Sequence, residues 1–149
     1  MSKNMKGTYN HNIDAKGRVI IPSKIRDILG REFVITLGFE DCLYLYSAEE
    51  WDNFTDRLRA IGNKTEAARN IRRFFQANAR DAEIDTQGRT LIPAEFREEL
   101  GIDKEVVIVG NGEKAEIWNK ATWDELNNRP ELTKESIIKA LEESDIDFF

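Results

Sequence analysis

Ile13-Asp14-Ala15-Lys16-Gly17-Arg18-Val19-Ile20-Ile21-Pro22 returns 71 residues later as Ile84-Asp85-Thr86-Gln87-Gly88-Arg89-Thr90-Leu91-Ile92-Pro93. The match runs on through Arg26/Arg97, Leu29/Leu100 and Gly30/Gly101, so that 9 of the 18 positions from Ile13 to Gly30 equal their partners. Solenoid arrays use shorter periods and more copies. One long repeat in two copies instead describes a small unit doubled and folded against itself. The chemistry of the chain is then expected to rest on a two-fold arrangement of the Asp-x-x-Gly-Arg turn.

Working outward, residues 8–13 read as a strand, Asp14 to Gly17 as a turn with Gly17 at a positive-φ position, and residues 18–21 as a short strand. Pro22 ends that strand beside a helix start. Ser23 is expected to cap a helix over 24–29 that Gly30 stops. Strands follow at 32–37 and 42–46. Ser47 caps a longer helix to about residue 61, with Glu49 and Glu50 in its first turn. The second unit repeats this order: strands at 82–84 and 89–92, a helix at 94–100 closed by Gly101, and strands at 105–109 and 115–118 joined by an Asn111-Gly112 hairpin turn. Asn119 caps a helix holding Trp123, the counterpart of Trp51. Each unit thus reads β-turn-β-α-β-β-α.

Between the units, Ala67, Ala68, Ile71, Phe74, Phe75 and Asn78 fall at helical spacing and complete a helical hairpin. Beyond Pro130, residues 132–141 form an amphipathic helix with Ile137, Ile138 and Leu141 on one face. The last residues, 142–149, are acidic with an apolar tip at Ile146, Phe148 and Phe149. The organisation predicted is a first repeat over 5–52, connecting helices over 53–80, a second repeat over 81–125, and a C-terminal helix and acidic tail over 126–149.

The 149 residues are 34% charged and contain no apolar run near the roughly 20 needed to span a membrane. The N-terminal segment Met1 to Lys6 is followed by no hydrophobic stretch and does not read as a signal peptide. Cys42 is the single cysteine and His11 the single histidine, which suits a reducing cytoplasm and leaves no zinc-ligand cluster. Net charge is −6, unevenly spread: residues 1–75 carry +3 and residues 76–149 carry −9. A basic first unit on an acidic chain suits a localised anionic partner, although solvated surface charge alone would look the same.

Asp14 and Asp85 are a symmetric carboxylate pair. Catalysis would need both facing one cleft with separated pKa values and other site residues nearby. Each Asp instead stands three residues before a turn glycine, where its carboxylate can accept turn N–H bonds and hold the following Arg. No nucleophile has a base in reach, and a lone glycine before Arg is no phosphate-cradling loop. No cofactor is implied, and an enzyme is the remotest reading. For nucleic acid the residues are better suited. Lys16 and Arg18 flank a tight turn on a β-ribbon, with Lys24 and Arg26 on the adjoining helix, and Arg89 and Arg97 repeat the arginines. A two-stranded ribbon fits a major groove, where Arg can bond guanine in bidentate fashion and Lys attracts phosphate. Gln87 and Glu95 replace Lys16 and Lys24 in the second copy, so the first unit should dominate. For Arg18 and Arg89, a structural bond to the turn Asp stands level with DNA contact. The basic helix face of Arg69, Arg72 and Arg73 reads as solvated, or as the edge of a subunit contact.

Asp-x-Lys-Gly-Arg-x-x-x-Pro, followed by a short Arg-containing helix ending in Gly, resembles the SpoVT-AbrB motif of swapped-hairpin transcription factors. Two copies with an intervening helical pair resemble the MraZ family over roughly residues 5–126. The resemblance implies an α+β, β-rich fold of two intertwined swapped-hairpin β-barrel units. It implies a cytoplasmic, nucleoid-associated regulator that forms a ring-shaped homo-oligomer on direct repeats in promoter DNA of the division and cell-wall gene cluster and represses it. By motif, the DNA-facing positions would be Lys16, Arg18, Lys24 and Arg26, joined by Arg89 and Arg97 through repeat position, with Asp14, Gly17, Asp85 and Gly88 shaping the turns. The rival reading is a protein-interaction module, since related domains act as antitoxins through a flexible tail.

Overall fold

A computed structural model describes residues 3–148; Met1, Ser2 and Phe149, the last of these part of the apolar tip, lie outside the described residues. The first unit contains β1 (Thr8–Asn12), β2 (Arg18–Ile20), α1 (Ser23–Leu29), β3 (Glu32–Leu37), β4 (Leu43–Ser47) and α2 (Ala48–Ile61). After α3 (Glu66–Ala77), the second unit supplies β5 (Arg80–Glu83), β6 (Arg89–Leu91), α4 (Ala94–Leu100), β7 (Glu105–Asn111), β8 (Lys114–Asn119) and α5 (Lys120–Asn127). A 3-10 turn at Pro130–Leu132 leads into α6 (Lys134–Glu143).

The units are exchanged strand by strand. The larger sheet has the order β1-β7-β8-β4-β3-β5, and β2 pairs with β6 in a separate ribbon. Since β5, β7 and β8 are the repeats of β1, β3 and β4, this order reads the same from either end under the repeat. The first strand of each unit therefore completes the hairpin of the other, and all the pairings are antiparallel. No closed barrel is seen among the described residues: β1 and β5 are the two edges of the six-stranded sheet.

Both faces of that sheet are covered, which explains why β3 and β4 are near-continuously apolar rather than alternating. On one face Phe33, Ile35, Leu43, Leu45, Val106, Ile108 and Ile117 pack with Ile21, Ile25, Leu29, Ile92 and Phe96 of the ribbon ends and of α1 and α4. On the other, Tyr44, Tyr46, Val107 and Trp118 meet Phe54, Leu58 and Phe75 of α2 and α3, with Trp51 and Trp123 partly buried against them. The two tryptophans thus act as anchors at the edge of this core. No helix among the described residues is long and apolar enough to cross a membrane.

Two local expectations change. Ser23 is the first residue of α1 and makes no capping bond; Pro22 holds the N-cap position. Proline fixes φ there, and the turn needs no hydroxyl. In the second hairpin Asn111 pairs with Lys114, so the two loop residues are Gly112 and Glu113. Gly112 takes a positive φ of 74° at the first loop position, the place where a type II′ turn wants glycine. On α3, Ala68 and Phe75 are buried but Ile71 and Phe74 stay 43% and 44% exposed. Helical periodicity identifies the face; the depth to which α2 and the sheet reach determines how much of it is covered.

Candidate nucleic-acid interface

The two Asp-x-x-Gly-Arg turns are built alike. In the first, Asp14 Oδ1 accepts the backbone N–H groups of Lys16 and Arg18, both at 2.9 Å, and Oδ2 accepts Arg18 Nε at 2.8 Å. Gly17 N–H donates to Asp14 O at 3.0 Å and Asp14 N–H to Arg18 O at 2.8 Å. In the second, Asp85 Oδ1 accepts Gln87 N–H and Arg89 N–H, and Oδ2 accepts Arg89 Nε, all at 2.9 Å. The carboxyls of Asp14 and Asp85 are held below their ordinary range, chiefly by the backbone N–H of Arg18 and of Arg89 respectively, then by the guanidinium groups. The structural bond weighed for Arg18 and Arg89 is therefore present in both turns. It uses Nε of each guanidinium, and among the described residues the terminal nitrogens of Arg18 and Arg89 make no hydrogen bond. A DNA contact and the turn clamp can coexist on the same side chain.

The ribbon brings the turns together. Arg18 lies opposite Leu91, Val19 opposite Thr90 and Ile20 opposite Arg89. Ile21 N–H then donates to Gly88 O, and Ile92 N–H to Gly17 O, each at 2.9 Å, so each strand end is tied to the other unit's turn.

The helix arginines tie the same junction from behind. A Cβ added to Gly17 would lie 2.6 Å from Arg97 Cζ, and one added to Gly88 would lie 2.7 Å from Arg26 Nη1. With φ of 84° and 79°, the turn glycines meet both a backbone and a steric requirement. Arg26 and Arg97 thus brace the opposite unit's turn, which the sequence reading did not foresee. Their reappearance in both copies beside the shared glycines was the available signal, since residues needed to fold the unit recur with it. The two braces differ in one bond. Arg97 Nε donates to Ile92 O at 3.0 Å, whereas Arg26 Nε is buried without a hydrogen-bond partner among the described residues.

Lys16 and Lys24 are exposed, and among the described residues neither side chain makes an ion pair. At the equivalent of Lys24, Glu95 is instead neutralised by Arg80, 2.8 Å away. The six cations expected at the site thus fall into three pairs: two free lysines on the first unit, two clamped turn arginines, and two bracing helix arginines.

Six-stranded sheet and ribbon together define a class: a tandem-repeat α+β protein whose two copies exchange strands and pool their turns on one shared element. The family model described as "MraZ protein, putative antitoxin-like" matches residues 5–74 and again residues 75–145. A protein of Thermoanaerobacter sp. (strain X514) named "Transcriptional regulator MraZ" is 45% identical over 142 residues, covering 95% of this chain and 99% of its own. A protein of the same name from Lachnoclostridium phytofermentans is 51% identical over 119 residues, 79% of this chain and 83% of that one. Another, from Acetivibrio thermocellus, is 43% identical over 135 residues, 91% and 94% of the two chains. The chain belongs to the MraZ family.

Proposed function

We propose that the chain is a sequence-specific DNA-binding transcriptional regulator, and not an enzyme. The observation that carries this reading is the pairing of β2 with β6, which sets two rigid Gly-Arg turns on one short ribbon. The names of the relatives point the same way. Lys16 and Lys24 attract phosphate, Arg18 and Arg89 present guanidinium groups in a fixed register, and Arg26 and Arg97 act at the site mainly by bracing it. Asp14, Gly17, Asp85 and Gly88 shape the turns. Residues 5–52 and 81–125 are the two SpoVT-AbrB-like repeats, 53–80 connects them and 126–149 is an appendage. The regulator acts in the cytoplasm on the nucleoid. It binds direct repeats in the promoter of the division and cell-wall gene cluster and represses it as a ring of several subunits. Avidity across the ring explains how a chain of net charge −6 holds DNA, because only the ribbon faces need be basic.

The test is binding to the chain's own upstream DNA at two salt concentrations, beside scrambled DNA of equal length, with subunit number measured by light scattering. Arg18→Ala also loses the Asp14 clamp, so Lys16→Ala and Lys24→Ala are the cleaner partners. Salt-sensitive preference for the native fragment that weakens in both lysine variants supports the reading. Equal binding to both DNAs, or none, refutes it.

A further inference from the structure

We infer that Ile20 and Leu91 are specificity-determining residues that read thymine methyl groups from the outer face of the ribbon; the inference rests on the DNA-binding reading above. Strand alternation places Val19 and Thr90 inward, 1% and 2% exposed, and puts Arg18, Ile20, Arg89 and Leu91 on the outer face. Ile20 and Leu91 remain 48% and 55% exposed there. Each stands directly across the ribbon from a turn arginine, Ile20 from Arg89 and Leu91 from Arg18. The outer face therefore carries two arginine–aliphatic pairs related by the repeat.

These aliphatic groups are not left out by loose packing. Asp14 and Asp85 pin the arginines on either side, and two backbone bonds pin the strand ends. The ribbon is preorganised with apolar side chains toward water. Three residues of strand span about 10 Å, which fits a major groove about 12 Å wide. Within that groove the one apolar group on a base edge is the C5-methyl of thymine. Arginine supplies charge and guanine-edge bonds; an aliphatic neighbour adds what arginine lacks, discrimination of thymine from the other pyrimidine. A surface meant for another protein would need no flanking Lys16 and Lys24, whereas the phosphates beside a groove do.

The experiment copies the upstream fragment with either thymidine or deoxyuridine, which differ at that methyl alone. Binding is measured for the wild type, for Ile20→Ala, for Leu91→Ala and for the double variant, with subunit number recorded for each. Both positions are surface-exposed, so alanine leaves the core intact. The wild type should prefer thymine DNA by about four-fold per methyl contacted. In the double variant, thymine DNA should bind more weakly and no better than uracil DNA, while the subunit number stays the same. Tight wild-type binding with no preference for thymine overturns the inference and leaves the DNA-binding reading standing. So does a preference that survives in the double variant, or a double variant that changes subunit number and keeps the preference. No wild-type binding to thymine DNA overturns the DNA-binding reading itself.

Discussion

The two turns share a skeleton and differ in their skin. Every backbone bond of the Asp14 turn has a counterpart within 0.1 Å in the Asp85 turn, down to the Nε donation from the following arginine. Yet Lys16 corresponds to Gln87 in the other copy, and free Lys24 to Glu95, which Arg80 neutralises. Residues that build the junction recur because each unit needs them to fold against the other. Residues that meet solvent are released from that demand and diverge. Identity between copies therefore marks the turn junction; differences fall both on the surface, as at Lys16/Gln87, and in the core, where Val19/Thr90 and Ile25/Phe96 are buried yet unlike.

The sharpest way to break the likeness is at its glycines. Gly17→Ala combines an unfavourable positive φ with a clash on the Arg97 guanidinium, and should cost about 3 kcal/mol in chemical denaturation. Gly88→Ala should cost a little less, because its nearest neighbour is the tip of Arg26 rather than the centre of a guanidinium. Equal and negligible losses would show that the arginines move aside freely and that the braces carry no strain.

The carboxylate clamps come next. Their folded-state pKa values are lowered, so the stability they contribute is complete above the ordinary carboxylate value of 3.8 and is lost as pH falls through the depressed folded values. Asp14→Asn and Asp85→Asn should each lower Tm at pH 7, and the gap to wild type should close as the melts are repeated toward pH 2. A gap that persists in acid would assign the loss to the asparagine NH2, which cannot accept the arginine Nε–H, and not to the ionised carboxylate.

Helix caps show how far the sequence could be read. Ser47 Oγ accepts Glu50 N–H at 3.2 Å and Asn119 Oδ1 accepts Ala121 N–H at 3.0 Å, as their positions before helical runs suggested. Ser23 looked equivalent and is not, because Pro22 already sets the entry to α1. Ser47→Ala should cost about 1 kcal/mol, and Ser23→Ala should be close to neutral. The helices, the turns and the doubled order were legible because short-range chemistry writes them. The exchange of strands was legible only through the resemblance to swapped-hairpin factors: nothing local tells β1 to pair with β7 rather than within its own unit. For the same reason the Asp–Arg clamps could be anticipated from a spacing of four residues. The arginine braces, which reach across the repeat, needed the structure.

The smallest effect tests the comparison most directly. Exchanging one surface residue makes each turn resemble the other: Lys16→Gln converts the first toward the second, and Gln87→Lys does the reverse. Neither side chain makes a structural bond among the described residues, so thermal stability should be unchanged in both. For DNA, one phosphate contact fewer lowers the slope of log affinity against log salt by about 0.9, or roughly 3.5-fold over a four-fold rise in salt. Lys16→Gln should lose that increment and Gln87→Lys should gain it if the two turns approach the duplex equally. If Gln87→Lys gains nothing while Lys16→Gln loses the full increment, the second turn stands away from phosphate. Its likeness to the first then serves the fold alone, and the DNA contact is asymmetric in spite of a ribbon that is not.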